Sequence, residues 1–146
     1  MRVETPSEQL LFSTVRIETT TKQGTATGTA FIYNHIIEGE RNALFLVTNK
    51  HVIEGAGHGK FFFTEAEGGK PKIGARFDID AEDFESHWFG HSDPDVDLAV
   101  LPLVPVLKQI EAIGKSVFFK AIPSNIIPTL DQIEQLDALE EVIIFG

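Results

Sequence analysis

Six short stretches with the pattern of β-strands lie between residues 13 and 103, and they constrain the fold more than any other feature. In the first of them, Val15 and Ile17 fall on one face and Arg16 and Glu18 on the other, which is the period of a half-buried strand. Glycine-containing turns such as "EGERN" and "EGGKPK" separate the stretches. Short strands at this spacing are typical of a β-sandwich or β-barrel, and not of β-α-β units. The six predicted strands are "STVRIETT", "TAFIYNHII", "ALFLVT", "KFFFTEA", "IGARFDID" and "DLAVLPL".

The segments that join these strands are predicted to be loops and one helical turn. "KQGTATG", residues 22–28, has the composition of a loop, and so does the polar, acidic segment from Ala81 to Pro94. "HVIEGAGHG" has the pattern of a helical turn that three glycines interrupt. The histidine of that turn, His51, therefore follows directly on the third strand.

Helical spacing begins after Pro105. "VLKQIEAIGKSV" and "PTLDQIEQLDALE" both repeat apolar residues at helical intervals, and Thr129 is of a type favoured as a helix N-cap. We expect the leucine/isoleucine stripe of the second stretch to pack on the sheet. "EVIIFG", residues 141–146, is predicted as a further strand. Because chains usually end in loosely held residues, we expect the domain to continue beyond it.

Composition and charge exclude several classes of function. The chain has 146 residues, which suits one domain or one lobe of a larger domain. Its formal net charge of −10 argues against a nucleic-acid or anionic-membrane partner, since both require clustered Lys and Arg. The absence of cysteine excludes disulfides, thiolate metal sites and cysteine nucleophiles. No apolar run has the length of a signal peptide or membrane span, so a cytoplasmic location is expected.

A histidine and an aspartate stand where a sheet can hold them beside a cleft. His51 follows the third strand, and Asp97 directly precedes the apolar run of the sixth, 46 positions later. A carboxylate at the edge of a core needs a partner. An imidazole that donates one ring N–H to such a carboxylate is fixed in one tautomer, and its other nitrogen can act as a base. The two residues are therefore candidates for a catalytic pair.

Three blocks around these residues resemble the N-terminal half of trypsin-like (chymotrypsin-fold) serine peptidases, and among them the cysteine-free bacterial HtrA-like type. "ATGTAF", residues 26–31, is similar to the "GTGTAF"-type signature of the second strand. "LVTNKHV" resembles the "TxxHV" histidine block, and "DVDLAVL" resembles the "DxAxL" aspartate block. The likeness covers about Gly24 to Leu103. It implies that His51 is the general base and that Asp97 orients it.

The resemblance also implies a fold, a domain division and a substrate class. The expected fold is a single six-stranded antiparallel β-barrel with two short helices after it. Residues 1–103 would form this lobe, and residues 104–146 a helical extension that begins the connection to a second barrel. The substrate would be a polypeptide, and no metal or cofactor is expected. A lone barrel would expose the apolar face that meets its partner, so self-association is expected.

The third member of the Ser-His-Asp triad is missing from the sequence. In trypsin-like peptidases the triad residues come in the order His, Asp, Ser, and the serine follows the aspartate by roughly 90 residues. That position would lie after residue 146. None of the serines has the glycine-flanked "GxSG" setting that exposes a hydroxyl and builds an oxyanion hole. The chain alone is therefore predicted to be inactive. Its serines are Ser7, Ser13, Ser86, Ser92, Ser116 and Ser124.

Other interpretations of the same residues stay open. His51 could simply cap a helical turn, and Asp93 or Asp95 could replace Asp97 as its partner, although both flank Pro94 in a predicted loop. His87 and His91 could bind zinc if Asp93 or Asp95 supplied a third ligand, but a solvated loop is preferred. "DPDVD" lacks the glycine and glutamate that an EF-hand requires at later positions.

Charge patterning leaves two further alternatives. Eight acidic residues and no Lys or Arg lie from Asp78 to Asp97. A solvated loop is the preferred interpretation, and a surface for basic peptides is the alternative. At the level of the whole chain, the alternative to a peptidase is a non-catalytic β-barrel that binds proteins.

Overall fold

The computed structural model describes residues 2–139 and consists mostly of β-sheet. Four α-helices accompany nine strands, and a 3-10 turn spans Phe84–His87 and another Ser124–Ile126. The helices are α1 (Pro6–Leu11), α2 (Lys50–Ile53), α3 (Val104–Ala112) and α4 (Leu130–Glu134). The strands are β1 (Thr14–Thr21), β2 (Gly24–Glu38), β3 (Arg41–Thr48), β4 (His58–Glu67), β5 (Lys70–Glu82), β6 (Phe89–Gly90), β7 (Ala99–Pro102), β8 (Val117–Phe118) and β9 (Ile122–Pro123).

All nine strands belong to one sheet with the order β5-β4-β1-β2-β3-β7-β6. The short β8 pairs with β4, and β9 pairs with β2 in the one parallel ladder among the described strands. Within residues 2–139, no ladder joins β5 to β6 or β7, so the described sheet is not closed. The mostly β, antiparallel class predicted from the sequence is confirmed, whereas closure into a six-stranded barrel is not.

The core lies on one face of β1, β2 and β4, as the alternating pattern requires. Val15 and Ile17 of β1 are buried, and their partners in the β2 register are Ala30 and Gly28. On the other side of β1, Ile17 pairs with the buried Phe61 of β4. Burying such side chains contributes roughly 1.5–3 kcal/mol each. Leu46, Leu101, Leu103, Val106 and Ile110 extend this core through β3, β7 and α3.

The segment predicted as a polar loop from Ala81 to Pro94 instead supplies part of the core. β5 continues to Glu82, and the 3-10 turn that follows buries Phe84 completely. The Phe84 ring packs 5.2 Å from that of Phe61 and 5.9 Å from that of Trp88. A Cβ on Gly59 would overlap the Phe84 ring, so only glycine fits at this point of β4. The loop prediction is confirmed for residues 91–94 and was wrong for residues 81–90, because two aromatic residues outweigh the acidic composition around them.

The loop predicted for residues 22–28 is also wrong over most of its length. β2 begins at Gly24 and pairs with β1 along its whole first half, from Thr21↔Gly24 to Thr14↔Phe31. The glycines suggested a loop, but the threonines between them are β-branched and favour extended backbone. The turn itself is limited to Lys22 and Gln23.

The helical region is confirmed in part. α3 buries Val106 and Ile110 against the sheet, as its spacing predicts. α4 begins at the predicted N-cap Thr129, whose side chain accepts a hydrogen bond from Gln132 N. Its apolar stripe does not pack on the sheet, because Leu130 is 78% exposed. The predicted strand at 141–146 lies outside the described residues. In residues 2–139, no helix is both long and apolar enough to cross a bilayer.

Candidate active site

His51 lies in the short helix α2, which follows β3 directly. Thr48, the last residue of β3, is buried, and its hydroxyl donates to the carbonyl of Thr29 in β2 at 2.8 Å. α2 in turn lies against β2, since a Cβ on Gly28 would be 2.5 Å from Val52 Cγ1. Close approach of α2 to the sheet therefore requires glycine at position 28. These contacts fix the position of the backbone that carries His51.

Asp97 comes to the same place through the pairing of β7 with β3. Their register sets Ala99 opposite Thr48, so the residues just before β7 lie beside those just after β3. Asn49 strengthens this junction. It is the N-cap of α2, but its side chain makes no capping bond and instead donates from Nδ2 to the Asp97 carbonyl at 2.8 Å. The two sequence blocks thus meet at one edge of the sheet.

The Asp97 carboxylate contacts His51 at two points. Its Oδ2 lies 2.5 Å from His51 Nδ1, and its Oδ1 accepts the backbone N–H of His51 at 3.1 Å. An ionised carboxylate can only accept hydrogen bonds, so Nδ1 carries the ring proton and the Nδ1–H group donates a hydrogen bond to Oδ2. With Nδ1 protonated, the lone pair of the neutral ring is on Nε2.

His51 Nε2 is open to an incoming group. Within residues 2–139, no hydrogen bond engages this nitrogen, and the His51 side chain is 69% exposed. The His51–Asp97 pair therefore lies at the protein surface and is not part of a buried network. A base held in a single tautomer with its lone pair towards solvent can accept a proton from a bound hydroxyl or water.

The hydrogen bond from His51 is the main reason that the pKa of Asp97 lies below its ordinary value. Partial desolvation raises the pKa and opposes this effect, whereas the backbone N–H of His51, the charge of its ring and the backbone N–H of Lys50 lower it further. Asp97 is therefore ionised at neutral pH. A permanently charged carboxylate is what stabilises an imidazolium formed during proton transfer.

We expect His51→Ala to raise the pKa of Asp97 towards its ordinary value, because the substitution removes the largest cause of the lowering. A depressed carboxyl pKa adds stability at pH values above its unfolded-state value of about 3.9, and this is lost as pH falls through the folded-state pKa. The variant should lose less stability on acidification. The carboxyl ¹³C shift of Asp97 measured against pH checks this. His91→Ala is the control and should leave that titration unchanged.

The rival aspartates organise the loop and do not contact His51. The Asp93 carbonyl accepts from Lys50 Nζ at 3.1 Å, and its Oδ1 accepts the backbone N–H of Asp95 at 2.9 Å. These bonds hold the segment before β7 close to α2. The structure thus selects Asp97, and not Asp93 or Asp95, as the partner of His51.

The two histidines considered as zinc ligands bond to backbone groups. His87 Nε2 lies 3.0 Å from the carbonyl of Glu82, and His91 Nδ1 accepts from the backbone N–H of Asp93 at 3.0 Å. Among residues 2–139, no three His, Cys, Asp or Glu side chains form a group with metal-binding geometry. His87 is therefore held by the end of β5, and His91 by the loop that precedes β7.

A second histidine–aspartate contact shows what distinguishes the pair at His51. His58 Nε2 lies 2.9 Å from Asp80 Oδ1 and 3.8 Å from Glu82 Oε1, across the β4–β5 ladder. This is an ordinary contact between side chains of neighbouring strands. At His51 the Asp97 carboxylate binds Nδ1 and also accepts the backbone N–H, and Nε2 stays open. These features, and not the contact alone, distinguish this pair from His58 and Asp80.

None of the serines in the described region forms a Ser-His-Asp triad with His51 and Asp97. None of them is hydrogen-bonded to His51 within residues 2–139. Ser86 donates to the Asp83 carbonyl at 2.6 Å, and Ser116 donates to the Ala66 carbonyl at 3.2 Å. Ser13 is buried, and Ser124 accepts from the backbone N–H of Ile36. These hydroxyls stabilise local structure.

Asn49 and Lys50 are the site residues that sequence reasoning missed. Both tie the segment before β7 to α2 through main-chain carbonyls, those of Asp97 and Asp93. The available signal was the "TNKH" sequence, in which an asparagine stands at the start of a helical turn. That signal predicts the N-cap position, which Asn49 occupies, but not the hydrogen bond from its side chain to the Asp97 carbonyl.

No protein-family model, curated protein sequence or solved structure matches this chain.

Proposed function

We propose that residues 1–103 form the histidine- and aspartate-bearing half of a trypsin-like serine endopeptidase that acts on polypeptides. His51 is the general base and acid, and Asp97 orients it. The observation that carries this proposal is the two-point contact of the Asp97 carboxylate with the ring and the backbone of His51. In this proposal the sheet is the first of two barrels, and the nucleophilic serine and the oxyanion donors come from residues outside 1–146.

In this mechanism the neutral His51 ring takes up a proton, and the protonated ring later gives it up. Nε2 takes the hydroxyl proton as the serine oxygen bonds to the scissile carbonyl carbon. The resulting imidazolium is stabilised by the charged Asp97 beside Nδ1. Nε2 then gives the proton to the leaving amine as the C–N bond breaks, and a water activated in the same way releases the acyl group.

A protein-binding module without catalysis is the second candidate. The observation that favours it is the exposed apolar C-terminal stretch, in which Leu130 and Leu136 are more than half exposed. Such patches mark surfaces that seek a partner. In that case His51 and Asp97 would be a structural junction between β3 and β7.

The chain of residues 1–146 alone should neither hydrolyse a general protein substrate nor react with a fluorophosphonate probe. Within the described region, no serine hydroxyl is hydrogen-bonded to a His, Asp or Glu side chain, and an unactivated hydroxyl is a weak nucleophile. Gel fluorescence after incubation with the probe measures this, with trypsin as the positive control. Labelling of any serine of this chain would overturn the assignment of the nucleophile to other residues.

A further inference from the structure

A groove of about 440 Å³ runs over β1, β4 and β5 beside α1. Its surface is largely apolar: the Phe62 ring contributes to its lining, and Leu11 and Ile73 line it with more than half of their areas exposed. Exposed apolar side chains that lie together on a groove mark a site for a partner. The groove lies on different elements from α2, so it is separate from the candidate active site.

Two arginines give this groove a positive charge in an otherwise acidic protein. Arg16 and Arg76 both line it, while the whole chain carries a formal net charge of −10. The Arg16 guanidinium lies over the Phe62 ring at 5.1 Å, and its ion pair with Glu18 is long, at 3.8 Å. In residues 2–139, Arg76 has no ion pair. The chemistry that fits is an acidic segment with apolar side chains.

The chain has such a segment near its C-terminal end. No Lys or Arg follows Lys120, and the stretch from Ile126 to Leu136 carries Asp131 and Glu134. Apolar side chains on this stretch are exposed and do not cover the chain's own sheet. They are Ile126, Ile127, Leu130, Ile133 and Leu136. Among residues 2–139, the stretch and the groove are thus both exposed, and they are complementary in charge and in polarity.

We propose that the stretch Ile126–Leu136 of one copy lies in the arginine-flanked groove of a second copy. Asp131 and Glu134 are three positions apart in α4, so they fall on neighbouring points of its surface and pair with Arg16 and Arg76. The exposed apolar side chains of the same stretch cover Leu11 and Ile73. Reciprocal exchange of the stretch between two copies gives a two-fold dimer, and one-way contacts build rings or open chains of copies.

Sedimentation velocity over a concentration series, at low and at high salt, tests this contact. The wild-type chain should associate, and more weakly at high salt because surface ion pairs are screened. Arg16→Glu with Arg76→Glu should weaken association about tenfold or more, and so should Asp131→Lys with Glu134→Lys. Combining all four substitutions should restore it. Far-UV circular dichroism checks that each variant is folded.

The matched control is Lys22→Glu with Lys108→Glu, which makes the same change in net charge at exposed positions outside the groove. This control should associate as the wild type does. A wild-type chain that stays monomeric at every concentration would overturn the proposal. So would association that ignores the arginine substitutions, or four substitutions that fail to restore it. None of these outcomes depends on peptidase activity, so the proposed function is tested separately.

Discussion

Asp97→Asn is expected to lower kcat of the full-length gene product by about 10⁴-fold, as loss of the orienting carboxylate does in a Ser-His-Asp enzyme. An asparagine amide can donate to Nδ1, which moves the ring proton to Nε2 and removes the lone pair that accepts the serine proton. The measurement is steady-state hydrolysis of a fluorogenic protein substrate by the polypeptide translated from the complete coding region. KM should change little, since Asp97 contacts His51 and not the substrate.

Asp95→Asn is the matched control for that experiment. It makes the same chemical change two residues away, at a side chain that does not contact His51, and it should leave kcat within about twofold, as surface changes outside a site usually do. Equal losses in the two variants would mean that charge in the loop matters and that the specific contact between His51 and Asp97 does not.

Phe84→Ala is expected to cost about 3–5 kcal/mol of unfolding free energy. The ring is completely buried, lies against Phe61 and Trp88, and covers the glycine at position 59 of β4. Domains of this kind have only about 5–15 kcal/mol in total, so the variant should be close to unfolding. Urea denaturation followed by circular dichroism measures the change, with the slope of the transition compared to confirm that both proteins unfold in the same way.

Phe89→Ala tests whether burial, and not the loss of any phenylalanine, produces that effect. Phe89 is 65% exposed and lies in β6, five positions further along the chain. Its replacement should change stability by about 0.5 kcal/mol or less. A loss at Phe84 as small as that at Phe89 would contradict the placement of Phe84 in the core.

The candidate site could be predicted from the sequence because local pattern and pairing agree there. "ALFLVT" predicts a strand that ends just before His51, and "DLAVLPL" predicts one that begins just after Asp97. The ladder between β3 and β7 then brings the two ends together. What the sequence could not provide is the second contact of Asp97, to the backbone of His51, because it depends on the exact direction of α2.

The errors arise where composition and tertiary packing disagree. Phe84 and Trp88 stand among acidic residues, so the segment has the composition of a loop, yet their rings complete the core beside Gly59. The stripe beginning at Leu130 has helical spacing, but spacing does not say which surface will cover it, and the chain's own sheet does not. Closure of the sheet into a barrel would require β5 to pair with β7. The spacing of strands along the sequence does not say which strands pair.

The most direct test of the account is labelling of the full-length gene product with a biotinylated fluorophosphonate, which reacts with a serine that a neighbouring base activates. The account predicts that the wild-type protein is labelled at one serine outside residues 1–146. It further predicts that His51→Ala abolishes the labelling while His91→Ala does not. Absence of labelling in the wild-type protein, or equal labelling in the His51→Ala variant, would contradict the assignment of His51 and Asp97 to a serine peptidase.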